Sequence, residues 1–302
     1  MPSQPETSDR AAKVMLVLLG LSWGLTWPAM RIALEEIPPF SMRAISLGLG
    51  AAALLIVMRV QGRRMGFGRR IDWLHIAVGS VLNIVGFTML SAFALLMTST
   101  SRAAILAYTM PIFAALFSWM VFGERLGAMK LTALALCTAG IAILIYPLAQ
   151  HGVPLGLLLA VGIGLTWAAG TVYVKWARIE GDPIAIAAWQ LAFGWAIVVA
   201  CLPLAEGGLQ LAHAHAKAIL CTMFVGLIGS AFAYVLWFRI IGRLSATTAS
   251  LGILSVPAIG VVASAVLLGE RPTVPDIVGF ALIFAASACV LLSPGDKAAQ
   301  AS

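Results

Sequence analysis

Charge is what this sequence has least of. Of its 302 residues only 10% are Asp, Glu, Lys or Arg, while 61% are hydrophobic; soluble domains carry about 25% charged residues. The shortage excludes a water-soluble globular domain and implies an integral membrane protein. Catalytic signatures are missing as well. There is no Walker A glycine loop and no H-E-x-x-H, and the one G-x-S-x-G, Gly20–Gly24, lies inside an apolar run and not at the strand-to-helix turn that the hydrolase motif needs, so the signatures that usually betray an enzyme are absent. Cys137, Cys201, Cys221 and Cys289 lie far apart in apolar runs and read as small core hydrophobes, not as disulfides or ligands. His213 and His215 fall in a connecting loop and His151 at a boundary, which excludes a bis-histidine haem site within the bilayer. No catalytic residue, metal or cofactor is expected. The formal charge of +7 reads as basic cytoplasmic loops, and no nucleic-acid partner is expected. A small-residue cleavage site is also lacking after the polar stretch 1–12, so the first apolar run is read as a retained span.

What the sequence does contain is a series of apolar runs of membrane-crossing length, about 20 residues each. They fall near 13–34, 39–59, 72–96, 100–122, 127–147, 154–176, 184–204, 216–239, 245–268 and 273–293. Lipid offers the backbone no hydrogen-bond partners, so a spanning segment is a helix or part of a closed barrel. Unbroken runs without period-2 alternation exclude the barrel. The expected fold is all-α, with ten transmembrane helices. With the N-terminus in the cytoplasm, the inner segments hold 14 Lys and Arg residues and the outer ones 5, an asymmetry that places both termini inside.

The chain also repeats itself. "PIFAALFSWMVFGER" at 111–125 and "PAIGVVASAVLLGER" at 257–271 share a proline, eleven apolar or small residues and Gly-Glu-Arg, at an offset of 146. Ser118 matches Ser264 and Ala103 matches Ala249 at that offset, and "GLTW" occurs at 24–27 and again at 164–167. The organisation read from this is a cytoplasmic tail (1–12), a five-helix repeat (13–147), a second five-helix repeat (154–293) and a cytoplasmic tail (294–302). Five is odd, so the second repeat enters the membrane inverted. Inverted repeats are the build of secondary transporters, in which two halves exchange conformations around a central site. A channel is the rival class, but channels more often show symmetric subunits and polar filters. Each Gly-Glu-Arg reads first as a helix end at the water boundary. Pro111 and Pro257 fall near the middle of their spans, where each removes a backbone hydrogen bond and makes either a kink or a moving hinge.

"LSWGLTWPAMR" in the first span, "AYTMPIFAALFSWMVFGERL" in the fourth and "GILSVPAIGVVASAVLLGERP" in the ninth resemble the EamA-type branch of the drug/metabolite transporter superfamily, over nearly the whole chain. Within it the likeness is to bacterial exporters of amino acids and related metabolites, aromatic amino acids in particular. The resemblance implies a multi-pass protein of the bacterial inner membrane that exports its substrate by alternating access. Multidrug, nucleotide-sugar or sugar-phosphate-like transport is the alternative within the same superfamily.

Polar and aromatic residues near mid-membrane are the candidate substrate contacts: Trp23 and Trp27 in the first span, Asn83 and Phe87 in the third, Tyr108 in the fourth, Trp167 in the sixth, and Ser230 and Tyr234 in the eighth. Core packing competes with cavity lining for each of them. Gly20 and Gly24 form a GxxxG, which lets helices approach closely. No Asp or Glu lies deep inside a span, which disfavours proton-driven export of permanent cations. Arg43 and Lys175 sit toward span ends and are expected to snorkel to water. A small, net-neutral substrate fits best. The fused halves let a monomer suffice, with the lipid bilayer as the other partner.

Overall fold

The computed structural model describes residues 6–123, 127–149, 154–241 and 246–292. Glu124, Arg125 and the tail 294–302 lie outside the described residues. The described residues form ten helices of about membrane length. These are α1 (Glu6–Leu34), α2 (Pro39–Val60), α3 (Arg70–Met97), α4 (Thr100–Phe122), α5 (Ala128–Ala149), α6 (Leu155–Ala177), α7 (Pro183–Glu206), α8 (Ala216–Ile240), α9 (Ala246–Leu268) and α10 (Val274–Leu292). Their limits follow the apolar runs closely. The exception is α1, which begins at Glu6 within the stretch read as a tail, because "ETSDRAAK" holds no Gly or Pro to stop a helix from extending past the hydrocarbon.

Local chemistry sets the ends. Pro39 and Pro183 open α2 and α7, where a missing N–H costs nothing. The Asp182 carboxylate accepts from the Ile184 backbone N–H at 2.8 Å and caps α7. The glycines of both Gly-Glu-Arg sequences, Gly123 and Gly269, take φ 68°, the left-handed end that glycine alone adopts without strain. After Gly269, the Glu270 N–H reaches back to the Ser264 carbonyl at 3.4 Å.

The two halves pack as exchanged partners. Helix α1 lies along α9 and α8, and its counterpart α6 lies along α4 and α3; α2 pairs with α7, and α5 with α10. The end of α9 meets the start of α4, where the Glu270 carboxylate accepts from the Thr100 and Ser101 N–H groups at 2.6 and 2.9 Å. Helices α4 and α9 therefore run in opposite directions. Close approach is bought by glycine. A Cβ on Gly20 would lie 2.8 Å from Ser255 Oγ on α9, and one on Gly24 would lie 3.2 Å from the Val256 carbonyl. The GxxxG thus serves helix packing.

Two helices depart from α geometry at corresponding places. Val81–Gly86 in α3 and Val225–Phe232 in α8 are π-helical, an arrangement that is rare and frequent at functional sites. Helix α4 is interrupted at Tyr108–Thr109, between Thr100–Ala107 and Met110–Phe122. Pro111 begins its second segment, whereas Pro257 lies inside an uninterrupted α9. Among the cysteines only Cys137 is buried; Cys201 is exposed on α7, so the core reading does not hold for it.

Candidate functional site

Phe87 follows directly on the π-helical stretch of α3 and gathers the two repeated tryptophans. Trp27 of α1 meets it edge-on at 6.5 Å between centroids, and Trp167 of α6 meets it at 5.2 Å and 60°. These are the tryptophans of the two "GLTW" sequences, so the doubled motif converges on one ring. Its other letters have matching duties. A Cβ on Gly229 of α8 would lie 2.6 Å from Thr26 Oγ1, and one on Gly86 of α3 would lie 3.0 Å from Thr166 Cβ. Each threonine presses on a glycine in or at the edge of the π-helical stretch of the opposite half. Gly86 and Gly229 escape a search for polar and aromatic residues, and Thr166 is passed over in it; the repetition of "GLTW" is the signal that finds Thr166.

Asn83 stands in the same π-helical stretch, 9% exposed. Its Oδ1 has no hydrogen-bond partner, and neither does Gln190 Nε2 on α7. Asn83 is wedged against Gly170 of α6, where a Cβ would collide with Oδ1, and a Cβ on Gly79 would lie 2.7 Å from Gln190 Nε2. A buried acceptor and a buried donor are thus both unpaired along α3. Such groups cost about 1–3 kcal/mol each, and in native proteins each one calls for a reason, such as strain, a functional role or a bound water or ligand.

The remaining candidates lie elsewhere. Trp23 donates from Nε1 to the Gly229 carbonyl at 3.1 Å and packs on Trp237 at 6.1 Å, in a small cluster with Leu19, Ala233 and Leu236. Tyr234 stacks on Phe238 at 6.3 Å, on the side where α2 and α7 meet. Ser230 donates to the Val225 carbonyl five residues back. Ser230 lies against Gly50 of α2, on the same side as Tyr234, whereas Trp237 turns to Trp23. Tyr108 is buried at the break in α4, and its carbonyl accepts from Ser287 Oγ of α10 at 2.8 Å.

Arg43 requires a correction. It is 2% exposed and does not snorkel. Nε donates to the Thr88 carbonyl at 3.0 Å and Nη2 to Ser91 Oγ at 2.7 Å, both on α3. Its short distance from the start of α2 suggested access to water, but the packing of α1 and α3 over it closes that route.

Among the described residues, two of the cavities open to the surface bear on the site. One of about 510 Å³ is an apolar groove between α1 and α9. The other, of about 590 Å³, opens at the end where α1 finishes and is lined by Arg31, Glu35, Thr98, Lys217 and Glu270 among others. At the same end Glu36 accepts from the His215 backbone N–H at 2.6 Å. That bond, with the His215 ring and Lys217, holds its carboxyl below the usual range. Neither cavity reaches the Trp27–Phe87–Trp167 layer.

Comparison with known proteins agrees with this architecture. The model of the EamA-like transporter family matches residues 11–146 and again 154–292. The uncharacterized transporter YvbV of Bacillus subtilis is 28% identical, covering 96% of this chain and 93% of its own. The uncharacterized transporter YoaV of the same organism is 25% identical over 90% and 94%. A probable amino-acid metabolite efflux pump of Escherichia coli is 24% identical over 91% and 93%. A solved crystal structure, 22% identical, aligns with a TM-score of 0.63 over 93% of this chain and 96% of its own. That likeness shows the fold alone.

Proposed function

The chain belongs to the EamA-like transporter family, a family of transporters and not of enzymes, and on that premise we propose that it exports small neutral amino acids and related metabolites, aromatic ones included, by alternating access. The proposal places it in the bacterial inner membrane with both termini cytoplasmic, organised as repeats over 13–147 and 154–293. The observation that carries it is the layer in which Trp27 and Trp167, one from each half, meet on Phe87 beside the unpaired Asn83 Oδ1. A site shared by two inverted halves is where alternating access requires the substrate to sit. Aromatic faces receive both an ammonium group and an apolar side chain, and the amide oxygen accepts from the ammonium. The relatives named as probable amino-acid metabolite efflux pumps support the substrate class, and the direction of transport rests on them too.

Counterflow in proteoliposomes tests it. Vesicles preloaded with phenylalanine, threonine or methionine should accelerate uptake of the labelled compound, as a carrier does and a pore does not. Trp167→Ala removes one wall of the layer and should reduce flux roughly tenfold, the equivalent of about 1.4 kcal/mol of lost binding. Flux of a dye or a nucleotide sugar without flux of any amino acid would replace this substrate class by another.

A further inference from the structure

Arg43 is a cation enclosed by protein and held by neutral groups only. Besides Thr88 and Ser91, its Nη2 donates to Met30 Sδ of α1 at 3.0 Å. Among the described residues Nη1 finds no acceptor and no carboxylate faces the guanidinium. The carboxylates near helix ends are engaged elsewhere: Asp276 with Arg102, Asp182 with Arg63, Asp72 with Arg69, and Glu206 with the start of α2. An ionised group inside a membrane protein is costly unless it is paired, and such groups mark substrate and ion pathways.

Its neighbours place it beside the candidate site. Thr88 follows Phe87 in sequence, Ser91 is one turn beyond Phe87, and Met30 is one turn beyond Trp27. Arg43 thus sits one turn from the aromatic layer, toward the end where α1 finishes. The second repeat has no such cation at the matching place. Helices α2 and α7 both begin at a proline and pack on each other. Four residues after Pro39 stands Arg43; four residues after Pro183 stands Ala187, buried without any charge. Duplicated packing accounts for what the halves share, not for a cation present in one.

Resting on the transport reading above, we infer that Arg43 is the anion-binding residue of the transport path, pairing with the carboxylate of the substrate next to the aromatic layer. The guanidinium is a planar fork that matches a carboxylate in bidentate fashion. A phosphate offers similar oxygens, so the test separates the two.

Counterflow is measured on the full chain with phenylalanine, phenylalaninamide and a sugar phosphate, for wild type, Arg43→Gln and Arg43→Lys. Wild type should prefer phenylalanine over its amide by more than about tenfold, since a site built for a polar group rejects an analogue lacking it by up to about 10⁴–10⁵. Arg43→Gln should bring that ratio close to one. Arg43→Lys keeps the charge and loses the fork; it should raise KM for phenylalanine with kcat little changed, and it covers the case in which the glutamine variant does not fold. If both variants lower flux of the acid and the amide in equal proportion, Arg43 is structural and the inference is overturned. Should wild type carry the sugar phosphate and no amino acid, the amino acid reading fails, and selective loss of phosphate flux in the variants still supports Arg43 as the anion site. Transport of uncharged or cationic compounds only would overturn both.

Discussion

At Gly170 a single added methyl group has nowhere to go. The Cβ would collide with Asn83 Oδ1 and lie 3.0 Å from the Asn83 backbone nitrogen, which cannot retreat. Gly170→Ala should therefore destabilise the protein by about 1–3 kcal/mol, the usual cost of overpacking. Asn83→Leu makes the opposite case. It removes an acceptor that is already unpaired, so the melting temperature in detergent should hold or rise while amino acid flux falls. A variant that loses stability and flux together would make Asn83 a packing residue. Trp27, Phe87, Trp167 and Asn83 were legible in the sequence because polar and large aromatic residues in mid-membrane need a reason. Their meeting was half legible, since "GLTW" is written twice. Gly170 was not, because a glycine in a run of small residues shows nothing of what presses on it. Arg43 was misread for a related cause: distance from a span end measures depth along one helix and says nothing of what packs on top.

Among the helices the informative comparison is between α4 and α9, which share one proline sentence and differ in shape. The prolines predict equal bends. The structure interrupts only α4, at Tyr108–Thr109. There the Ile112 N–H turns to the Thr109 carbonyl at 3.0 Å, which frees the Tyr108 carbonyl, and Ser287 Oγ takes it up. At the repeat offset, the counterpart of Ser287 is Ile141, which has no donor to offer. The break depends on a residue in another helix, so no reading of α4 by itself reveals it. The π-helical stretches in α3 and α8 escape for a similar reason; their sequences are as apolar as their flanks, and the extra residue per turn is set by what the neighbours press against. Pro111→Ala restores an N–H that can reach the Ala107 carbonyl and close the gap in α4, whereas Pro257→Ala acts within a helix that is already continuous. Counterflow in Pro111→Ala should slow by about threefold or more relative to Pro257→Ala, consistent with about 1 kcal/mol for one backbone hydrogen bond. Equal rates in the two variants would leave both prolines as plain kinks and remove Pro111 as a hinge.

Across the whole molecule, composition and the lipid constraint made ten spans and their inversion readable, but not the ties between the halves, which join residues far apart in sequence. The second Gly-Glu-Arg is the clearest case. Its glutamate looks like a boundary marker and in fact caps a helix of the other half. Glu270 accepts from Thr100 N–H, Ser101 N–H and Ser101 Oγ, while Asp276 binds Arg102 at 2.5 and 2.9 Å. Two carboxylates from the α9–α10 region thus hold three successive residues at the start of α4, beside the cavity lined by Arg31, Thr98 and Lys217. The α9–α10 corner cannot move away from α4 at this end without breaking both contacts. Neutralising them should favour the open arrangement. Losing a helix cap costs about 1 kcal/mol, and a carboxylate hydrogen bond about 1.5–3, so Glu270→Gln with Asp276→Asn should shift the equilibrium by roughly tenfold or more. A cysteine introduced by Thr98→Cys, with the four native cysteines replaced because Cys201 is exposed, reports on it through labelling by a membrane-impermeant maleimide. Labelling should quicken in the double variant and slow again when substrate is added at a concentration that favours the occluded state. An unchanged labelling rate, in a variant that still folds and transports, would mean that these contacts anchor α4 and take no part in opening the path.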